Sequence, residues 1–155
     1  MEDIDYMRMA IALAVDNVKN GGGPFGAVIV KNGDVVATGV NRVTANNDPT
    51  AHAEVSAIRA ACTKLGTFDL EGCVLYTSCE PCPMCLGAIY WAHIDKIFYG
   101  ANQYDAAAAD FDDSFIYQEL ELAPRERRKP IENLLHDEAL APFNLWRSKD
   151  DKVKY

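Results

Sequence analysis

The spacing of apolar and polar positions changes period several times along the chain. From 4 to 18, Ile4, Met7, Ile11, Ala14, Val15 and Val18 recur at helical spacing, and Gly21-Gly22-Gly23-Pro24 ends the predicted helix. GAVIV (26–30) and DVVATGV (34–40) read as strands, and Asn32-Gly33 between them tolerates positive φ, which predicts a hairpin. Asp48-Pro49 reads as an N-cap followed by proline, opening a helix that runs to about Leu65 and stops at Gly66. A third strand is expected at 74–77, a second central helix from Pro81 to near His93, and a fourth strand at 96–100. Beyond Phe111 the chain reads as mostly helical, broken by Pro124, Pro130 and Pro142. Strands alternating with helices predict an α/β layer sandwich, antiparallel at its first hairpin and parallel later.

Length and composition narrow the class. A chain of 155 residues is one domain's worth, and 49% hydrophobic with 25% charged residues is ordinary for a globular protein. Five cysteines (62, 73, 79, 82, 85) are an odd number with three crowded together, which predicts reduced thiols rather than a disulfide framework. The start MEDIDYMRMA carries acids where a signal peptide carries bases, and no apolar run approaches a membrane span. A soluble, cytoplasmic protein with no membrane partner is therefore expected. A net charge of −8 argues against nucleic acid as a partner, because phosphate binding favours a basic face. The one dense basic cluster (Arg125, Arg127, Arg128, Lys129) reads as a solvated helix end.

The candidate chemistry lies where the two central helices begin: His52-Ala53-Glu54 and Pro81-Cys82-Pro83-Met84-Cys85. Cys82 and Cys85 are three apart and share a helix face, and a helix N-terminus favours their thiolates. With His52 they make three protein ligands and leave a fourth position open, as in catalytic zinc sites. Glu54 converges on the same ion only if the ion lies beyond the first turn, where a carboxylate can take a proton from water. Cys79 is either a fourth ligand closing a structural site or a small packed residue. The H-x-E…P-C-x-x-C pattern selects Cys82 and Cys85 and is a zinc nucleobase deaminase signature. A structural zinc module and a C-x-x-C redox pair are the competing readings.

The stretches GGPFGAVIVKNG, NDPTAHAEVSAIRAAC, YTSCEPCPMCLGAIYWA and FDDSFIY, with the terminal Tyr155, resemble the cytidine deaminase superfamily and within it the bacterial guanine deaminases. The resemblance implies a three-layer α/β/α sandwich around a central mixed sheet. It implies a single zinc domain over 1–155, whose tail (139–155) crosses to a partner subunit in a homodimer. One zinc per subunit would be held by His52, Cys82 and Cys85. The implied reaction is hydrolytic deamination of a small purine base, guanine, to xanthine and ammonia, with Glu54 carrying protons from water to ring N3 and the departing amino group. Asp113 is implied in substrate binding or proton transfer, Asn41 in reading the base, and Tyr155 in closing the site, while Phe25 and Trp91 match aromatic pocket positions. Structural competitors are a turn residue for Asn41, a helix-cap neighbour for Asp113, core for Phe25 and Trp91, and a frayed end for Tyr155. Guanosine or another aminoheterocycle is the alternative substrate. A tRNA adenosine deaminase shares the zinc motifs, but it would be expected to carry a basic tail, and this tail is mixed in charge.

Overall fold

In the computed structural model, which describes residues 1–155, helix α1 (Asp3–Lys19) precedes strands β1 (Gly26–Lys31) and β2 (Asp34–Val40). A short helix α2 (Val43–Asn46) and helix α3 (Ala53–Leu65) follow, then β3 (Cys73–Cys79), α4 (Pro83–Trp91) and β4 (Lys96–Ala101). Helices α5 (Gln103–Ala108), α6 (Ser114–Leu120) and α7 (Ala141–Ser148) complete the chain, with 3-10 turns at Pro124–Glu126 and Glu138–Leu140. The strand order is β2-β1-β3-β4. β1 runs antiparallel to β2 and β3, whereas β3 and β4 are parallel, so the sheet is mixed as expected. At the hairpin Asn32 (φ 52) and Gly33 (φ 81) both take the left-handed conformation that their pairing predicts.

Strand periodicity builds three layers. On β1 and β3, Ala27, Ile29, Cys73 and Leu75 point to one face and pack with Ala53, Ala57 and Ala61 of α3 and Ile89 of α4. Val28, Val30 and Tyr76 point to the other and pack with Tyr6 and Ala10 of α1. β1 is buried on both faces, which is why it reads as an unbroken apolar run.

The alanine stripe of α3 lets that helix lie against the sheet, and Gly39 makes the approach closer still. A Cβ at position 39 would stand 2.5 Å from Ala57 N and closer to Ala53 O. The first turn of α3, which carries His52 and Glu54, is thereby pressed onto β2.

Three expectations need correction. The helix expected from Asp48-Pro49 begins at Ala53, with His52 as its N-cap. Asp48 caps a turn instead, its Oδ1 accepting from Thr50 N (2.9 Å) and Thr50 Oγ1 (2.7 Å). The helix expected from Pro81 begins at Pro83 behind Cys82. The region after Phe111 is less helical than expected: no helix lies between Glu126 and Glu138. The chain divides into two compact units, Met1–Ser114 and Phe115–Tyr155, and no residue of the second is fully buried. No helix is long and apolar enough to cross a membrane.

Candidate active site

Both halves of the zinc motif occupy helix N-termini in the same way. His52 (φ −71, ψ 160) and Cys82 (φ −67, ψ 168) are the extended N-cap residues of α3 and α4, and Cys85 is the third residue of α4. The His52 side chain makes no capping bond to its own helix, a local interaction otherwise worth about 1 kcal/mol, while Cys82 meets Cys85 in the first turn of α4. The two N-cap side chains also turn toward each other. His52 Nδ1 lies 3.5 Å from Cys82 Sγ and 3.4 Å from Cys85 Sγ, and the three ligand atoms fall within 4.8 Å of one another. A tetrahedral zinc with ordinary Zn–N and Zn–S bonds sets its N and S ligands about 3.6 Å apart. One nitrogen and two sulfurs at this spacing fit zinc.

The sulfurs are electrostatically distinct. The hydrogen bond from the Cys85 thiol holds Cys82 down at about 4 as a thiolate, against the opposing effect of burial. The same bond, with burial, pushes Cys85 up. His52 is raised by its hydrogen bond to Cys82, against burial. Cys79 is not part of the ligand cluster; its Sγ sits 3.9 Å from Asn102 O. Burial, with Glu54 and Asp113 nearby, pushes its thiol up to about 11. It is a small packed residue at the end of β3.

Glu54 follows His52 by two residues and is 6% exposed. Burial pushes its carboxyl up to about 7, with Cys82 adding to the rise and the Cys85 hydrogen bond opposing it. A carboxyl with that affinity both takes and returns a proton near neutrality. Asp113 has an Oδ1 that is buried and meets no hydrogen-bond donor. Its affinity for a proton is raised by burial first, then by Cys82, Glu80 and Asp112. A carboxylate oxygen without a partner beside the ligand cluster is an acceptor waiting for a donor. Asp112 is structural: its Oδ1 accepts from Ser114 N at 2.9 Å.

The other sequence-selected residues are placed unequally. Asn41 follows β2, and its Oδ1 accepts from Val43 N at 3.2 Å, which leaves the amide nitrogen as the group it offers a ligand. Phe25 is half-buried and meets Phe111 edge-on, with ring centroids 5.0 Å apart. Phe111 went unrecognised in the sequence, where only its neighbours in FDDSFIY drew notice. The two rings line an apolar cavity of about 440 Å³ with Cys79 and Ile11. His52, Cys82 and Cys85 do not line that cavity, so the ligand cluster and this hollow are separate places. Trp91 is 69% exposed at the opposite end of α4 from Cys82, about 13 Å along the helix axis, so the chain does not bring its own Trp91 to its own ligands. Tyr155 is 76% exposed at the end of the second unit. His93 and His136 pair with Asp69 and Asp137 and stay outside the cluster.

Residues 1–101 match the family model described as the cytidine and deoxycytidylate deaminase zinc-binding region. The chain belongs to this zinc-dependent deaminase family. Among its relatives, the guanine deaminase of Bacillus subtilis is 55% identical over 151 residues, covering 97% of both chains. The crystal structure of a Bacillus subtilis guanine deaminase superposes with a TM-score of 0.97 at 54% identity, over 100% of this chain and 99% of that one. A Nitrosomonas europaea guanine deaminase structure is 34% identical, with a TM-score of 0.70 over 72% of this chain and 65% of that one. The tRNA-specific adenosine deaminase of Aquifex aeolicus is 42% identical over 62% of this chain and 64% of its own. Within the deaminase family, then, the zinc-site half is shared widely and the C-terminal portion is shared with the Bacillus guanine deaminase.

Proposed function

We propose that this deaminase hydrolyses guanine to xanthine and ammonia with one zinc per subunit. The observation that supports this substrate most is the likeness to the Bacillus guanine deaminase over the full length, C-terminal portion included, where the tRNA-acting relative matches about three fifths of the chain. The charge of −8 also disfavours a tRNA substrate.

His52, Cys82 and Cys85 would hold the metal. Zinc there would supply the Lewis acidity that makes water a competent nucleophile near neutral pH. Glu54 takes one proton from the water as its oxygen bonds to C2 and passes that proton to ring N3. It then carries the second proton from the new C2 hydroxyl to the amino group, so that C2=O forms as the C2–N bond breaks and ammonia leaves. Asn41, with its oxygen held by Val43, donates its amide N–H to an acceptor of the base, O6 or N7. Asp113 accepts from a ring N–H or the amino group, which satisfies its orphaned Oδ1. Phe25 packs the base from the side of the Phe111 ring.

Tyr155 acts across a homodimer in which the tail, 139–155, is exchanged. Leu145 and Val153 are each 64% exposed, and nothing in 115–155 is fully buried. A segment that buries so little does not offset its own ordering entropy, and a second copy of the chain supplies the cover. The place of the reaction is the cytoplasm, in purine metabolism.

The test is to incubate zinc-loaded protein with guanine and follow ammonia and xanthine, with Glu54→Ala alongside. Turnover lost in the variant while zinc is retained supports the reading. No turnover of guanine, with turnover of guanosine, would move the substrate to the nucleoside.

A further inference from the structure

One half-buried polar side chain outside the metal cluster makes two bonds, one of them across 24 positions, that the reaction does not account for. Asn17, in the last turns of α1, donates Nδ2–H to Gly23 O and to Asn41 O, both at 2.8 Å. Carbonyl oxygens only accept, so both partners fix the amide nitrogen at this position, and both its hydrogens are used. The loop is shaped around it. Gly22 N donates to Asn17 O at 2.8 Å, and a Cβ on Gly22 would stand 2.8 Å from Asn17 Cγ and closer to Nδ2. Gly22 is glycine because the Asn17 amide occupies the space of a side chain.

The clip closes a ring through both proposed base contacts. Gly23 O takes Phe25 N at 2.9 Å as well as Asn17. Asn41 N donates to Phe25 O at 3.2 Å, and Asn41 O returns to Asn17. A Cβ on Gly23 would lie 3.0 Å from Asn41 Cγ, so the Asn41 side chain rests on this loop. The end of α1, the loop before Phe25 and the residue after β2 are thus one hydrogen-bonded unit.

We propose that Asn17 is a positioning residue for substrate binding, holding Asn41 and Phe25 at a fixed separation on one side of the base. This rests on the reading above in which Asn41 contacts the base. Asn17 touches neither the metal ligands nor Glu54, so it acts on the fit of the base rather than on the proton transfers. Loss of such positioning raises KM and leaves kcat nearly alone.

The experiment measures kcat and KM for guanine in zinc-loaded Asn17→Ala, Asn17→Asp, Gly22→Ala, Asn41→Ala and the Asn17→Ala/Asn41→Ala double variant, with zinc content and melting temperature as controls of folding. KM should rise about tenfold in Asn17→Ala with kcat within about twofold. Asn17→Asp should be worse, because a carboxylate would face two carbonyl oxygens. Gly22→Ala should reproduce the effect by pushing the amide away without altering residue 17. The double variant should be worse than Asn41→Ala by less than Asn17→Ala costs alone, because part of the effect of Asn17 passes through Asn41. An unchanged KM in folded Asn17→Ala, a fall in kcat and melting temperature together, or additive losses in the double variant overturns the proposal. If Asn41→Ala itself leaves KM unchanged, the base-contact reading fails first; if it impairs binding while Asn17→Ala does not, the positioning role alone is wrong.

Discussion

Gly39 of β2 and Ala57 of α3 meet backbone to backbone: a Cβ at 39 would lie 2.5 Å from Ala57 N. No flexible side chain stands there to yield, so any side chain at 39 displaces the helix. The displaced part is the first turn of α3, which begins at Ala53 behind the N-cap His52. Gly39→Ala should cost about 1–3 kcal/mol, the range for overpacking a tight contact. It should also weaken zinc binding, because His52 moves relative to Cys82 and Cys85. Urea unfolding and competition against a chelator measure the two effects, and an unchanged urea midpoint would contradict the argument.

Metal content separates the three crowded cysteines. Cys82 and Cys85 converge on His52 Nδ1, and Cys79 does not. Cys79→Ser should keep one zinc per subunit and most of the activity, whereas Cys82→Ser and Cys85→Ser should lose the metal. Zinc analysis after dialysis reads this directly. Loss of zinc in Cys79→Ser would mean that the site is closed by four ligands and structural.

What was legible in the sequence was short in range. Cys82 and Cys85, three apart, share a helix face by spacing alone, whereas His52 and Glu54, two apart, converge because they are the N-cap and second residue of α3. The sheet was legible because its strands alternate or are wholly apolar over the lengths strands take. The start of α3 was misread because Asp48-Pro49 is a valid local signal. There Asp48 binds Thr50 instead, and the glycine-assisted packing of Ala53 and Ala57 sets where the helix starts. The Asn17–Asn41 bond spans 24 positions and leaves no periodic trace. Helix α5 was missed although Asn102 and Asp105 spell out a capping box, with both reciprocal bonds present. Trp91 was assigned to a pocket by resemblance, and its own helix carries it away from its own ligands.

The face opposite the site carries a pH-dependent tie. Tyr76 is 3% exposed and donates its hydroxyl to Asp3 Oδ1 at 2.6 Å, joining β3 to the first turn of α1. Burial, then the hydrogen bond to Asp3, raises the phenol above its ordinary value. A raised acid stabilises the fold fully below its unfolded pKa, about 10 for tyrosine, and that contribution is lost as the pH climbs beyond it. The native protein should therefore lose stability above about pH 10. Tyr76→Phe should cost about 1 kcal/mol at pH 7 and show a shallower alkaline decline. Denaturant titrations at pH 7 and at high pH compare the two, and parallel alkaline slopes would refute the assignment.

Asp113 offers the sharpest contrast between a group kept for stability and one kept for binding. Its Oδ1 is buried without a donor, and burial raises its proton affinity, so in the protein alone the carboxylate is a cost. Its neighbour Asp112 spends its oxygen on Ser114 N and supports the turn into α6. Removing Asp112's carboxylate should lower the melting temperature and leave KM near its native value. Removing Asp113's, in Asp113→Ala, should leave the melting temperature unchanged or raised and reduce kcat/KM for guanine about a hundredfold or more, the scale of a lost acceptor or proton carrier. Asp113→Asn distinguishes the two roles, because an amide oxygen still accepts a hydrogen bond but carries no proton. Recovery of KM with kcat still depressed assigns Asp113 to proton transfer, and recovery of both assigns it to base recognition. A destabilised Asp113→Ala with undiminished kcat/KM would return the residue to a structural role.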